Sequence, residues 1–123
     1  MIGRIYTSLF PYYDKEKRKN EYKKRPVLII SGPHNNDYTV LPVSSVSMKS
    51  NLDSDYDIEI DPVKYPKLNL TQISYVRTHK QTIVHQGALA SEIANMKSEY
   101  VDLYLEVLEK LENFNKRVMN DAL

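Results

Sequence analysis

Four consecutive apolar residues, Val27-Leu28-Ile29-Ile30, three of them β-branched, lie between Arg25-Pro26 and the turn-rich stretch Gly32-Pro33-His34-Asn35-Asn36-Asp37. A short apolar run bounded in this way reads as a buried strand entering a hairpin. The run Tyr38-Thr39-Val40-Leu41-Pro42-Val43-Ser44-Ser45 closes it. If Ser31 faces Tyr38 across the loop, antiparallel pairing holds the sum of positions constant and sets Arg25 opposite Ser44. Directly opposed side chains have Cβ atoms roughly 5 Å apart on one face, so a permanent cation and a hydroxyl would share the end of a hydrophobic sheet. A slip of one residue would bring Val43 or Ser45 opposite Arg25 instead.

The remaining pattern adds elements around this hairpin. Gly3 to Phe10 has β-propensity with partial alternation and predicts a first strand that Pro11 ends. Tyr12 to Lys24 is polar and basic, interleaved with Tyr12, Tyr13 and Tyr22, and reads as a long exposed loop. Met48 to Asp55 reads as a polar loop, Tyr56 to Ile60 as a half-exposed strand stopped by Asp61-Pro62, and Pro62 to Leu70 as a crossing turn. Gln72 to His79 and Thr82 to Gln86 predict two further strands. From Ser91 the period changes to that of a helix. Ser91 to Met96 predicts a short one, and a long C-terminal helix follows with Ser98 as N-cap and Glu99 and Asp102 suiting its first-turn dipole. Val101, Tyr104, Leu105, Leu108 and Leu111 form its apolar stripe, widened by Leu103, Val107, Phe114 and Val118, opposite an outer face carrying Glu106, Glu109 and Glu112.

Composition changes this picture in three ways. With 123 residues, 41% hydrophobic and 27% charged, the chain is expected to be one domain over residues 1–123 with room for a single site. No apolar run approaches the roughly 20 residues of a membrane span and the first residues lack a signal peptide's apolar core, so a soluble, cytoplasmic protein is expected. Without cysteine there is no disulfide or thiolate chemistry, and His34, His79 and His85 lack the spacing of a metal site. No metal or other cofactor is expected. The net charge of +1 conceals a polarity, since Lys15, Lys17, Arg18, Lys19, Lys23, Lys24 and Arg25 crowd one short stretch.

That stretch has two readings, a solvated connector or a nucleic-acid contact, because aromatic faces for bases and lysines for phosphates are the ingredients of single-strand binding. Elsewhere, Arg77 and His79 are two apart and would project from one face of a strand, with Thr78 on the other. If they meet Arg25, Ser44 and Ser45 across the sheet, two guanidinium groups, an imidazole and hydroxyls suit phosphate chemistry. RNA brings its own nucleophile, the 2′-hydroxyl, so its cleavage needs only a base, an acid and a clamp. A serine nucleophile is disfavoured, because Ser44 and Ser45 lack elbow glycines and no acid partner for a histidine is evident. His34 and His85 read as structural or solvent-facing.

Gly3-Arg4-Ile5-Tyr6, the Arg25-Pro26-Val27-Leu28-Ile29-Ile30 strand, Leu41-Pro42-Val43-Ser44-Ser45, Val76-Arg77-Thr78 and the final amphipathic helix together resemble the MazF/PemK (Kid-like) toxins of bacterial type II toxin-antitoxin modules, related in fold to the CcdB toxin. The resemblance implies an α+β, mainly β fold: a small SH3-like, partly open antiparallel β-barrel with a C-terminal helix. It implies a homodimer and a sequence-specific endoribonuclease that cuts single-stranded mRNA without metal, leaving a 2′,3′-cyclic phosphate and a 5′-hydroxyl.

Carried over by position, the resemblance implies that Arg25 would be the catalytic arginine and that Ser44 would replace the family's usual threonine, and Arg77 resembles a second arginine of Kid-type members. His79 stands where those members have an aspartate and is the candidate for proton transfer. Tyr12, Lys15, Lys17, Arg18, Lys19, Tyr22, Lys23 and Lys24, with Ser45 and Thr78, are the expected RNA contacts. A cognate antitoxin is implied, lying as an extended acidic segment across the same groove. Pro42 departs from the pattern, since proline in a strand requires an edge or a bulge. The basic stretch replaces a shorter glycine-rich loop, so no RNA motif carries over. Two other functions fit the resemblance: a CcdB-like inhibitor of a protein such as gyrase, and an inactive RNA-binding relative.

Overall fold

The computed structural model describes residues 1–123. Seven strands, β1 (Arg4–Asp14), β2 (Lys19–His34), β3 (Asp37–Ser44), β4 (Asp57–Ile60), β5 (Ser74–Arg77), β6 (Thr82–His85) and β7 (Leu89–Asn95), precede the helices α1 (Met96–Glu99) and α2 (Val101–Ala122). The antiparallel sheet runs β4-β5-β3-β2-β1-β7, with β6 as a further neighbour of β3, and curls into a half-barrel.

Its concave face holds the main core, where Ile5, Leu28, Leu41, Val43, Ile58 and Val76 meet Leu103, Tyr104, Val107 and Leu111 of α2. A smaller cluster of Val27, Ile29, Tyr38, Val40 and Val84 covers the other face. Strands buried on both faces read as continuous apolar runs, which is why Val27 to Ile29 show no alternation. Each such side chain contributes roughly 1.5–3 kcal/mol by burial.

Over its middle the central hairpin keeps the predicted positional sum, with Val27 paired to Pro42, Leu28 to Leu41 and Ile29 to Val40, but the ladder stops there, short of Arg25 and Ser44. Nearer the turn the expectation fails: Ser31 faces Thr39 and His34 faces Asp37, because two irregularities each shift the register. The turn is only Asn35-Asn36, both at positive φ (51° and 67°), the backbone of a two-residue type I′ hairpin.

Four other expectations are corrected. Residues Tyr12 to Lys24 are not a loop, because β1 and β2 continue as a paired ribbon from Ser8↔Arg25 to Asp14↔Lys19. Asp14 closes its tip by accepting the amides of Glu16 and Lys17, and Arg18 takes a left-handed φ of 53°. Residues 91–95 belong to β7, which pairs with β1. Asn95, not Ser98, caps α1 by accepting the Ser98 amide, and Tyr100 precedes α2 without a side-chain cap. The buried face of α2 is Leu103, Tyr104, Val107 and Leu111; Val101, Leu105 and Val118, predicted within the stripe, are exposed.

Three of the four strand prolines, Pro11, Pro26 and Pro42, sit where pairing is one-sided. Pro11 of β1 faces Tyr22 beyond the last β7 partner at Ser8. Pro26 lies one residue past the last β2–β3 pair. Pro42 falls between the residues of β3 that pair with β6, ending at Val40, and those that pair with β5, beginning at Val43. A missing amide is tolerated at such positions.

Candidate functional site

Pro42 marks the point where the sheet divides. Up to it β3 is paired with β2; beyond it Val43 and Ser44 pair with Val76 and Tyr75 of β5, while β2 carries on with β1 alone. The parting opens a cleft of about 390 Å³ lined by Lys24, Arg25, Pro26, Val43, Ser44, Ser45, Leu70, Thr71, Gln72 and Ser74. The β2–β3 ladder ends at Val27↔Pro42, so Arg25 and Ser44 are not a paired position; what brings them together is the cleft that both line.

Arg25 is exposed, and none of the ion pairs includes it. The lining contains two cations, four hydroxyl groups and an amide, but no carboxylate and no imidazole. Such a set attracts an anion and offers donors to several of its oxygens. A guanidinium adds a bidentate grip on phosphate. It is not a donor set for a divalent cation.

Arg77 and His79, expected here, lie elsewhere. β5 ends at Arg77, so His79 follows in a turn. Both side chains nevertheless reach one carboxylate, that of Asp57 on β4. Arg77 donates from Nε to Asp57 Oδ1 (3.1 Å) and from Nη2 to Oδ2 (3.3 Å), and also to the carbonyl of Asn51 (2.8 Å). His79 Nδ1 stands 3.6 Å from Asp57 Oδ1 without forming a hydrogen bond. Its ring packs near Tyr56 and Phe114. Asp57 also accepts the Asp53 amide at 2.8 Å. The cluster therefore ties down the segment that follows Ser45, and it does not bring Arg77 or His79 into the cleft with Arg25. Thr78, an expected RNA contact, is fully buried and donates to the Tyr56 carbonyl at 2.6 Å.

The basic stretch forms an arm that leads away from the cleft. Lys23, Glu21 and Lys19 stand opposite Phe10, Tyr12 and Asp14 on the face that Arg25 occupies. Lys23 Nζ lies 4.6 Å above the Tyr12 ring. Lys24, Tyr22 and Tyr13 are on the opposite face, and Lys15, Lys17 and Arg18 crowd the exposed tip. Glu21 draws Lys17 (3.7 Å) and Lys19 (3.3 Å) toward itself.

Thr71, Gln72 and Ser74 of the cleft wall were not singled out by sequence reasoning. They lie in and just after the bend between Asn69, held at a left-handed φ of 57°, and β5. The one available signal is the polar run Asn69-Leu70-Thr71-Gln72 ahead of an apolar strand.

A family model described as PemK-like, MazF-like toxin of type II toxin-antitoxin system matches residues 2–113. Among solved structures the fold resembles that of Mycobacterium tuberculosis toxin MazF-mt6, with a TM-score of 0.64 and 19% sequence identity over 92% of this chain and 96% of that one. None of the curated proteins matches the sequence.

Proposed function

The chain belongs to the PemK-like, MazF-like toxin family of type II toxin-antitoxin systems, and from that membership we propose that it is a metal-independent endoribonuclease toxin cutting single-stranded RNA in its cytoplasmic host environment. The observation that carries this reading is the exposed, acid-free Arg25 sharing a hydroxyl-rich cleft with Ser44 at the parting of β2 and β3.

In the reaction, the 2′-hydroxyl oxygen attacks the adjacent phosphorus and loses its proton. The bond from phosphorus to the 5′-oxygen breaks, and that oxygen takes up a proton. The products are a 2′,3′-cyclic phosphate and a 5′-hydroxyl end. Arg25 grips the non-bridging oxygens and stabilises the charge that grows on them. Ser44 and Ser45 donate hydrogen bonds to the same group, and Lys24 adds positive charge. With no imidazole among the lining residues, the attacking proton passes to solvent. We assign Arg77 and His79 to support of the segment after Ser45 through Asp57, because their polar atoms are already turned toward that carboxylate.

The arm guides the strand along the face that Arg25 occupies, with Tyr12 as a stacking surface and Lys19 and Lys23, with Lys15, Lys17 and Arg18 at the tip, as phosphate contacts, while Tyr22 on the opposite face lies off that path. The same cationic surface suits an extended acidic segment of a cognate antitoxin. The active form is a homodimer, as the family resemblance implies.

The deciding assay is cleavage of a mixed-sequence RNA in excess chelator by wild type, Arg25→Ala and His79→Ala. Expected are cyclic-phosphate products from wild type and a loss of about 100-fold or more for Arg25→Ala, the scale of losing one preorganised charge donor. Unimpaired cleavage by Arg25→Ala refutes the mechanism. Absence of cleavage with salt-dependent RNA binding would indicate a silent relative, and absence of both a protein-directed inhibitor.

A further inference from the structure

Resting on the nuclease reading, we propose that Ser8 is a positioning residue whose hydroxyl holds the Arg25 guanidinium in its phosphate-gripping orientation. Ser8 is fully buried, and its Oγ has no hydrogen-bond partner. Burying an unpaired hydroxyl costs stability, so one in a well-packed sheet calls for an explanation. Its neighbour on β1 shows the contrast, since Thr7 Oγ1 is engaged with Ser91 through both its amide and its hydroxyl.

The ladder supplies the reason. Ser8 is the direct partner of Arg25 across β1 and β2, with no register shift anywhere in that pairing, so both side chains leave the sheet on one face. On its other side Ser8 faces Leu89 of β7. Tyr6 and Phe10, two residues away along β1, flank it on the same face and pack on the smaller core cluster. Apolar groups thus surround the hydroxyl on three sides, and the fourth is Arg25, which forms no ion pair.

A guanidinium carries five N–H donors in a planar fork and no acceptor. If the inner edge of the fork donates to Ser8 Oγ, the outer edge remains free for two phosphate oxygens. A hydroxyl suits this task better than a carboxylate would, because it fixes the fork without neutralising the charge. The bond forms when a bound phosphate orders the long side chain between Ser8 on the β1 flank and the cleft on the β3 flank. It restricts Arg25 to one orientation and so acts on turnover more than on RNA affinity.

Two readouts on the whole protein test this. In steady-state cleavage of mixed-sequence RNA, Ser8→Ala and the near-isosteric, poorly accepting Ser8→Cys are expected to lower kcat roughly tenfold, the equivalent of one modest charged hydrogen bond. KM stays within about twofold and the thermal midpoint is unchanged or raised, because the orphaned hydroxyl is gone. In nitrogen-15 spectra, the Arg25 Nε–H of wild type should become protected from exchange when a mixed-sequence single-stranded oligodeoxynucleotide binds, which brings phosphates but no 2′-hydroxyl. That protection should vanish in Ser8→Ala at equal occupancy. Wild-type kcat in Ser8→Ala, or undiminished Arg25 protection, overturns the proposal while leaving the nuclease reading intact. Wild-type protein that neither cuts RNA nor binds the oligonucleotide overturns both.

Discussion

Replacing Asp57 by Ala should damage the fold before it damages any chemistry. The Asp57 side chain is 3% exposed, and it accepts two bonds from Arg77, which is 14% exposed, and one from the Asp53 amide. Removing one partner of a buried, hydrogen-bonded pair leaves the other charge uncompensated and costs about 3–5 kcal/mol. For a domain of this size that lowers the thermal midpoint by roughly 10–20 °C. Arg77→Ala should also destabilise, whereas the double variant should lose less than the sum of the two, because no charge is stranded. The assay is equilibrium denaturation of the four proteins followed by circular dichroism, with RNA cleavage measured well below each midpoint. Near-wild-type stability for Arg77→Ala with abolished cleavage would show that Arg77 serves the phosphate and would refute its assignment to Asp57. Additive single effects would refute the coupling.

Other consequences are as direct. Since the cleft is lined by neither imidazole nor carboxylate, log kcat should climb steadily with pH through neutrality; a plateau above about pH 6.5, the ordinary imidazole range, would return a catalytic role to His79. Burial raises the pKa of the Tyr104 phenol, so the folded chain holds that proton more tightly than the unfolded chain. Its contribution to stability is complete below about pH 10 and falls as pH rises further, and Tyr104→Phe should remove that part of the alkaline loss in a pH series of denaturation curves. Lys23→Ala should reduce the slope of log affinity for single-stranded RNA against log salt by about 0.7, one phosphate contact, and an unchanged slope would take Lys23 off the RNA path.

Sequence alone reached the central hairpin because burial of β2 and β3 on both faces writes itself as an apolar run. The ends of those runs put Arg25 and Ser44 in one cleft, although the predicted pairing of Ser31 with Tyr38 does not occur and the ladder stops before Arg25. The two register shifts near the turn leave no trace in hydropathy. The arm was missed for a related reason: Tyr12 to Lys24 buries almost nothing, so no alternation of apolar and polar residues records its pairing. Residues Ser91 to Asn95 misled through local preference, since Glu92, Ala94 and neighbours favour a helix that pairing with β1 overrides. Arg77 and His79 lie near one another through Asp57 and not through a shared strand face, since β5 ends at Arg77. Nothing in their spacing reveals that Asp57, twenty positions earlier, would claim both.

One property of β2 reaches beyond the cleft. Its 16 residues run without a break from the arm's tip through Arg25 into the double-sided core. At about 3.3 Å per residue, the stretch from Lys19 to Arg25 is a lever roughly 20 Å long, with its fulcrum at Pro26 where the support of β3 begins. Because Arg25 is the residue next to Pro26 and is paired to Ser8, a load applied at the tip bends the free ribbon before it moves the arginine.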